Sequence, residues 1–350
     1  MLRLMGLAAL LAAFGIVSSC LAAELGVFKP LKPGTQDLLR LQDFCIFRHD
    51  GYTYVASMKK DLCNEGIIVA RSKDLKSWSV LGDAVTTRTA EDKSMVWAPH
   101  VVEDNGMFYM FYTGVTTPSP GQWCQRILVA STKDPSKPSG WQRDNSMQFV
   151  VDGKTQSWFR PSHKGAVWTD SAWADCRDPM VLKHQGKWYM FYSGTDSDGG
   201  IAGVATAPSV TGPWTDQGAV MKVTPGIPES CFVIEAPDST FVMTFNHACQ
   251  DKKLCGSKSA RGKSLVPADG KPPFGDVRPL NDSSADYLKG WAHEFIQAET
   301  GGLTCANLTG YFVTFQDARL LKLPYGWDVR GAPQPPPSPS QSQPPPPPPL

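Results

Sequence analysis

The sequence predicts an all-β fold, a single-domain five-bladed β-propeller, from three observations. Helical periodicity of apolar residues is scarce along the chain. A strand–turn–strand pattern recurs five times. In three of these repeats a third strand and a tryptophan follow the second strand. Small sheets repeated at this spacing favour a propeller, in which radial repetition protects the strand edges, over two stacked β-sandwiches.

Each repeat contains a short turn, in most cases a pair with glycine, asparagine or aspartate, which is typical of tight hairpins. The turn pairs are Asp50-Gly51, Asn105-Gly106, Gln185-Gly186, Pro237-Asp238 and Thr309-Gly310. The β-rich runs that come after them are residues 52–57, 107–112, 187–192, 241–245 and 311–315. The third strands of the first three repeats lead to Trp78, Trp141 and Trp214. Five such units predict five blades.

The two ends of the chain differ from this repeat and set the domain boundaries. Residues 1–23 combine Arg3, an apolar run over residues 4–17 and small residues up to Ala23, which is typical of a secretory signal peptide. The apolar run is short for a membrane anchor, and no later stretch approaches 18 uninterrupted apolar residues. We therefore expect a secreted, extracellular protein without a membrane span, whose propeller domain covers residues 24–330.

Residues 331–350 are rich in proline, which fixes φ and removes backbone donors. They predict a disordered or polyproline II tail. The tail resembles the Ser/Pro-rich segments of plant and green-algal cell-wall glycoproteins, which would associate the protein with a cell wall. A plain spacer is an equally good interpretation of this composition.

Cysteines support the secreted interpretation. The chain has nine, and loss of Cys20 with the signal peptide leaves eight, an even number that predicts up to four disulfides. Their pairing cannot be deduced from the sequence. Cys249 and Cys255 flank a short polar loop and are the best single candidate pair. No Cys-x-x-Cys pair occurs, so a zinc site is not indicated.

The net charge argues against a nucleic-acid partner, and the composition favours a carbohydrate or apolar ligand. Lys and Arg total 34 against 33 Asp and Glu, a net charge of +1, so the chain lacks the basic surplus of a nucleic-acid-binding protein. Hydrophobic residues reach 41%, enough for a sizeable core. Eleven tryptophans indicate surfaces for carbohydrate or apolar ligands, although an all-β core also uses them.

Candidate catalytic residues follow from a common register of the repeats. Counting eight residues back from each turn selects Asp43, Ala98, Asp178 and Glu229, and a similar count from Gly301 selects His293. The first strand of each blade starts near the central pocket, so three carboxylates from separate blades are expected to converge there. Such a set suits glycoside hydrolysis, which needs one protonated and one ionised carboxyl group. The alternative is that these residues only cap strand starts.

Two short motifs carry a family resemblance. Trp97-Ala98-Pro99 resembles the second-blade motif, and Arg177-Asp178-Pro179 the third-blade motif, of glycoside hydrolase family 43. This family contains arabinanases, β-xylosidases and α-L-arabinofuranosidases, and is related to the invertase and levansucrase families. The resemblance extends over residues 42–327. It implies a five-bladed propeller that hydrolyses pentose-containing polysaccharides of the arabinan or xylan type.

The resemblance also implies roles for individual residues. Asp43 would be the general base that deprotonates water, Glu229 the general acid, and Asp178 the residue that orients the acid and raises its pKa. Members of this type invert the anomeric configuration. No cofactor is required, and His293 would face a central water or a structural calcium ion.

Substrate contacts are expected from residues beside these motifs. Trp97, Trp173 and Trp291 are candidates for stacking on sugar rings. Arg177 would either bind a substrate hydroxyl group or hold Asp178 in place. His293 is a further substrate-binding candidate. The expected partner is an oligosaccharide or polysaccharide, bound by a monomer.

Departures from the family pattern keep alternatives open. Phe44-Cys45 follows Asp43 where the family has Asp-Pro, and His100 stands where an acid is common. Glu235 competes with Glu229, although Glu235 would lie at a hairpin turn, away from the axis. One alternative is therefore a catalytically inactive carbohydrate-binding or cell-wall protein. Another is an invertase-like fructosidase, in which Asp43 would be a covalent nucleophile. A phosphorylase would need a cluster of basic residues that the motifs lack.

Overall fold

The computed structural model describes most of the chain between residues 24 and 333. The described residues are 24–27, 41–59, 66–74, 78–85, 88–235, 239–250, 255–279, 294–296, 311–314, 319–322, 327–328 and 332–333. They contain no α-helix, and their one helical turn is a 3₁₀ turn at Pro138–Gly140. No helix among these residues is long and apolar enough to cross a membrane.

Blades 1 and 2 are four-stranded antiparallel sheets whose strands follow chain order. Blade 1 consists of β2 (Leu41–His49), β3 (Tyr52–Lys59), β4 (Ile67–Ser72) and β5 (Ser79–Asp83). Blade 2 consists of β6 (Met95–Asp104), β7 (Met107–Ser119), β8 (Gln122–Thr132) and β9 (Gln142–Arg143). In each blade the first strand is the one that contacts its counterparts in the neighbouring blades.

Blade 3 has two extra strands and blade 4 has the standard four. Blade 3 consists of β12 (Cys176–His184), β13 (Lys187–Asp196), β14 (Gly199–Ala207) and β15 (Trp214–Val223), with the hairpin of β10 (Phe149–Val151) and β11 (Lys154–Gln156) added outside β15. Blade 4 consists of β16 (Ile227–Glu235), β17 (Phe241–Ala248), β18 (Gly256–Gly262) and β19 (Phe274–Pro279).

A further sheet combines strands from both ends of the chain. Its order is β20 (Glu294–Ile296), β21 (Tyr311–Thr314), β22 (Arg319–Lys322) and β1 (Glu24–Val27). A small ribbon pairs β23 (Trp327–Asp328) with β24 (Ala332–Pro333). The all-β propeller prediction is confirmed, whereas the residues whose side chains are described form four blades and not the predicted five.

The hairpin turns have the conformation that the sequence predicts. Both residues of the turns at Asp50-Gly51, Asn105-Gly106 and Gln185-Gly186 have positive φ, as a type I′ turn requires. Glycine at the second position is needed because side chains rarely adopt this conformation. The tryptophans that follow the third strands are buried at the start of the fourth: Trp78, Trp141 and Trp214. The repeat unit is therefore confirmed in blades 1 to 3.

The hydrophobic core lies between the blades. On β7, Met110 packs towards blade 1 and the next residue, Phe111, packs towards blade 3. Strand alternation therefore buries both faces of a blade. A third cluster joins Phe191 of blade 3 to Phe232 of blade 4. This face-to-face packing of successive sheets is that of a propeller rather than of two stacked β-sandwiches.

The one disulfide pair that the sequence singled out is present. Cys249 and Cys255 are bonded, as expected from their spacing. Cys124, Cys176 and Cys231 remain buried thiols, and burial raises the pKa of each. The upper limit of four disulfides is therefore not reached among the described cysteines, where buried cysteine packs as a small hydrophobic side chain. The signal peptide, residues 1–23, lies outside the described residues, as does nearly all of the tail.

Candidate active site

The four innermost strands share one backbone feature near their first residues. A β-bulge interrupts each pairing, and a non-glycine residue there has positive φ: Asp43 (41°), Ala98 (42°), Asp178 (56°) and Ser230 (49°). Such conformations are strained for residues with a side chain and concentrate at functional sites. A bulge also re-aims the side chains next to it. Asp43 and Asp178 thus occupy equivalent positions in blades 1 and 3.

Blade 4 departs from the register that the sequence predicts. Ser230, not Glu229, occupies the bulge position, and Glu229 lies one residue earlier, at the position of Arg177 in blade 3. The last hairpin pair of blade 4 joins Glu235 to Phe241, whereas blades 1 to 3 close with only two residues in the turn. Because this connection is longer, counting eight residues back from it selects Glu229 rather than Ser230, the residue in the bulge.

The carboxylate of Asp178 lies between blades 3 and 4. Its Oδ2 accepts hydrogen bonds from the backbone N–H of Ser230 at 2.9 Å and from Ser193 Oγ at 3.2 Å. Its own backbone N–H donates to Thr113 Oγ1 of blade 2 at 3.1 Å. The side chain is buried, with Arg177 Nε 3.9 Å from Oδ2. Three blades thus fix the position of this group.

Arg177 connects the acidic residues of the site. Its Nη2 and Nε donate to Glu229 Oε1 at 2.6 and 3.2 Å, and its Nη1 donates to Asp175 Oδ1. Gln125 Oε1 accepts a further hydrogen bond from Nη1 at 3.1 Å. Burial alone would lower the pKa of Arg177, but Glu229 and Asp175 raise it overall, so the guanidinium stays charged. Arg177 therefore holds Glu229 more directly than Asp178, which the sequence prediction did not foresee.

The electrostatics place Asp43 in the same group. Burial, then the negative charges of Asp178 and Glu229, raise the pKa of Asp43 well above its ordinary value, and Arg177 opposes them. The Asp43 side chain is also partly exposed to solvent. The Asp43 carboxyl group is thus surrounded by protein without being fully shielded from solvent. The three predicted carboxylates are thus brought together at the starts of β2, β12 and β16.

The group has more acids than it can keep ionised. Asp175, Asp178 and Glu229 pair with the guanidinium of Arg177, and Asp43 interacts electrostatically with Asp178, Glu229 and Arg177. Burial, opposed by Arg177 and reinforced by Glu229, raises the pKa of Asp178 to about 6. Like charges in a desolvated space cannot all ionise. The site therefore retains a proton at a pH at which exposed carboxyl groups have lost theirs.

A long connection positions one wall of the site. Residues 157–175 join β11 to β12 and are held at several points. His163 Nδ1 lies 2.8 Å from Asp216 Oδ2 of blade 3. Ala174 exchanges backbone hydrogen bonds with Trp123 and Gln125 of blade 2 at 3.0 and 3.1 Å. The connection therefore ends in a fixed extended segment that delivers Trp173 and Asp175 beside Arg177.

Three tryptophans form an aromatic surface at this wall. The rings of Trp97 and Trp123 are 5.5 Å apart, and those of Trp123 and Trp173 are 5.1 Å apart. Trp173 is 45% exposed, and its Nε1 donates to Asp175 Oδ1 at 2.9 Å. We call Trp97, Trp123 and Trp173 the aromatic surface. Trp291 and His293 lie outside the described residues, so their predicted roles remain predictions.

Glu235 and His100, which raised alternatives to the family pattern, lie outside the group of acidic residues around Arg177. Glu235 ends β16, at the opposite end from Glu229, and its Oε2 is 3.5 Å from His184 Nδ1. His100 is buried, its Nδ1 accepts a hydrogen bond from the backbone of Val181 at 3.2 Å, and burial lowers its pKa to about 4. His100 is therefore a neutral packing residue between blades 2 and 3.

The family resemblance also implies a central calcium ion. Among the described residues no group of three or more His, Cys, Asp and Glu side chains is arranged to hold a metal ion. The residues that the structure describes therefore do not provide the expected site, and His293 is outside them. We derive no step of the reaction through an ion.

Comparison with known families agrees with this geometry. Residues 39–157, about a third of the chain, match the model of glycosyl hydrolases family 43. The matched segment contains Asp43 and the Trp97-Ala98-Pro99 motif. Over these residues the chain is similar to the glycosyl hydrolases of family 43. The resemblance and the enzyme class predicted from the sequence, hydrolysis of O-glycosyl bonds, are thus confirmed. No curated protein sequence matches the chain.

Solved structures of this hydrolase fold resemble the chain at low identity. An α-L-arabinofuranosidase from Lactobacillus brevis has 14% identity and a TM-score of 0.56, with 84% of this chain and 93% of that chain covered. An exo-1,5-α-L-arabinanase from a bovine ruminal metagenomic library has 17% identity and a TM-score of 0.51, with 80% and 91% covered. An exo-β-1,3-galactanase from Clostridium thermocellum has 16% identity and a TM-score of 0.55, with 85% and 60% covered. These likenesses show the fold.

Sequence reasoning missed three residues of the site: Asp175, Gln125 and Trp123. A signal for Asp175 was present, because Trp173, Asp175 and Arg177 alternate along an extended segment and so point to the same side. Gln125 and Trp123 carried no comparable signal. They reach the site only because the connection of residues 157–175 folds back onto β8.

Proposed function

We propose that the protein is a secreted glycoside hydrolase that cleaves pentose-containing polysaccharides with inversion at the anomeric carbon. The observation that carries this proposal is the pairing of Asp178 and Glu229 with Arg177, together with the electrostatic interaction of Asp43 with all three groups. Carboxyl groups in two protonation states within one site are what glycosidic hydrolysis requires.

In the proposed reaction Glu229 is the general acid and Asp43 the general base. Glu229 gives its proton to the glycosidic oxygen as the bond from that oxygen to the anomeric carbon breaks. Asp43 takes a proton from the water whose oxygen bonds to the same carbon from the opposite face. We expect these two carboxyl groups to lie about 6.5–9.5 Å apart with substrate bound, to leave room for the water.

Arg177 and Asp178 prepare the acid. Both hydrogen bonds from Arg177 go to Oε1 of Glu229, which leaves Oε2 to carry the proton in the proposed reaction. Asp178 lies beside this pair and faces the developing positive charge of the sugar. Because Asp178 is fixed by three blades, its charge requires no reorganisation during the reaction.

The substrate class is argued from the relatives and the aromatic surface. The similar structures include an α-L-arabinofuranosidase and an exo-1,5-α-L-arabinanase, which supports a pentose polymer. They also include several exo-β-1,3-galactanases, which makes β-1,3-galactan the second candidate. An exposed indole beside the catalytic carboxyl groups suits either, since it stacks on any apolar sugar face.

The test is a comparison of substrates with the full chain. We expect release of reducing sugar from arabinan, xylan or their aryl glycosides, and less from β-1,3-galactan. Release from β-1,3-galactan alone would transfer the proposal to that polymer. Binding of these glycans without any release would contradict the proposed activity and support an inactive carbohydrate-binding protein.

Replacement of Trp173 tests the aromatic surface. We expect Trp173→Ala to raise KM by about 3- to 10-fold with a smaller change in kcat, because ring stacking contributes about 0.5–1.5 kcal/mol. Val167→Ala, in the same connection and 50% exposed, is the matched control and should leave KM unchanged. Equal KM values for the wild type and Trp173→Ala would remove Trp173 from the substrate site.

Several further features belong to the same proposal. We propose that the sheet of β20, β21, β22 and β1 is the fifth blade, since β20 lies beside β2 of blade 1, where ring closure requires a neighbour. We also propose secretion through residues 1–23, cell-wall association through the proline-rich tail, a calcium ion near His293, and a monomer in solution.

Mass spectrometry of the secreted protein tests the proposed signal peptide. A mature chain that still contains residues 1–23 would contradict it.

A further inference from the structure

Both carboxylate oxygens of Asp175 accept hydrogen bonds from side chains beside the site. Its Oδ1 accepts hydrogen bonds from Arg177 Nη1 and, at 2.9 Å, from Trp173 Nε1. Its Oδ2 accepts from Thr195 Oγ1 at 2.7 Å. The side chain is only 15% exposed. Burial raises the pKa of Asp175, but Arg177 and the hydrogen bonds from Thr195 and Trp173 lower it overall, so Asp175 is a fixed negative charge.

This charge lies on the far side of Arg177 from Glu229. One edge of the guanidinium contacts Asp175 through Nη1, and the other contacts Glu229 through Nη2 and Nε. A guanidinium presents its donors in a rigid planar fork, so the position of one edge determines that of the other. Asp175 therefore influences the position of Glu229 through Arg177, without contacting Glu229 itself.

Arg177 also shares its positive charge between two carboxylates. A buried guanidinium with a single carboxylate partner stabilises the ionised form of that partner strongly. Here the positive charge is divided between Asp175 and Glu229. The other groups that face Glu229 are Asp178 of blade 3, Asp43 of blade 1 and the thiol of Cys231 on its own strand.

We propose that Asp175 is a positioning residue of the reaction, which holds and partly neutralises Arg177 and so keeps Glu229 placed and able to donate its proton. The inference rests on the proposed role of Glu229 as general acid. It predicts that loss of Asp175 impairs the acid step in particular. Without Asp175 the undivided charge of Arg177 favours ionised Glu229.

The test compares leaving groups. Dinitrophenolate leaves without a proton, whereas unsubstituted phenolate needs one from the general acid. For Asp175→Asn we expect kcat/KM on the phenyl glycoside to fall by about 30-fold or more, and on the dinitrophenyl glycoside by about 3-fold or less, since general acid catalysis contributes about 10²–10⁴-fold.

Control variants separate this effect from damage to the fold. Asp152→Asn removes another carboxylate that pairs with an arginine, Arg160, outside the site, and should leave both substrates unaffected. Thr195→Val removes one hydrogen bond to Asp175 and should show the same bias between leaving groups with a smaller amplitude. Thr195→Val replaces Asp175→Asn in the test if Asp175→Asn does not fold.

The outcomes distinguish the inference from the proposed function. If the wild type hydrolyses neither glycoside, the proposed function fails. If the wild type is active and Asp175→Asn loses equally on both substrates, or matches Asp152→Asn, the inference on Asp175 is wrong while the proposed function stands. A loss of kcat/KM that is much larger on the phenyl glycoside than on the dinitrophenyl glycoside supports the inference.

Discussion

Glu229→Gln is expected to lower kcat/KM on substrates with an unactivated leaving group by about 10²–10⁴-fold. The amide keeps the size of the side chain and can still accept a hydrogen bond from Arg177, but it has no proton to give to the glycosidic oxygen. Initial rates on an oligosaccharide, with purified wild type in parallel, measure the loss.

The chain offers a matched control for this variant. Glu235 lies on the same strand as Glu229, at its other end, and pairs with His184 instead of Arg177. Glu235→Gln should therefore keep wild-type activity. If Glu235→Gln abolished hydrolysis and Glu229→Gln did not, the acid would have to be reassigned. Thermal unfolding of both variants is needed as well, because Glu229→Gln leaves the buried charge of Arg177 less neutralised.

Asp43→Asn is expected to lower kcat by about 10²–10⁴-fold, since an amide cannot take the proton of the attacking water. Asp50→Asn is the control, because it makes the same change at an exposed turn on the same hairpin, where asparagine suits the left-handed conformation. It should leave kcat unchanged. Full activity of Asp43→Asn would contradict the role of Asp43 as base.

The pH profile provides an independent check on Asp43. Burial, then Asp178 and Glu229, raise its pKa well above the ordinary 3.8. A general base acts only when ionised, so activity should be present above this raised pKa and should be lost as the pH falls through it. The acidic limb of kcat/KM is therefore expected above the usual range of aspartate.

Asp178→Asn tests the cause of that raised pKa. The variant removes a negative charge near Asp43, so the pKa of Asp43 should fall and the acidic limb of the residual activity should move to lower pH. A limb that stays in place would show that Asp178 is not electrostatically linked to Asp43.

The parts of the fold that depend on local sequence were predictable. The type I′ turns at Asp50-Gly51 and Asn105-Gly106 follow from the residues themselves, because few others tolerate positive φ, whereas at Gln185-Gly186 only the glycine carries this signal. The strand pattern on either side of them follows from the spacing, and the short loop between Cys249 and Cys255 made these two cysteines the best candidate pair. These features need no knowledge of the rest of the molecule.

The parts of the site that depend on long-range packing were less predictable. The register of Glu229 was displaced by one residue because the blade 4 hairpin is closed by a longer connection. The partnership of Arg177 with Glu229 joins β12 to β16 and leaves no mark in either sequence segment. The alternation of Trp173, Asp175 and Arg177 is a local signal for Asp175, but its place in the site depends on the backbone hydrogen bonds that fix residues 157–175 against blade 2.

The most direct test of the account is the stereochemistry of the first product. If Asp43 activates a water on the face of the sugar opposite to Glu229, proton NMR during early hydrolysis should show a newly released sugar whose anomeric configuration is opposite to that of the bond cleaved. A first product with the original configuration would contradict the account. It would mean that Asp43 attacks the anomeric carbon itself, as in a retaining fructosidase.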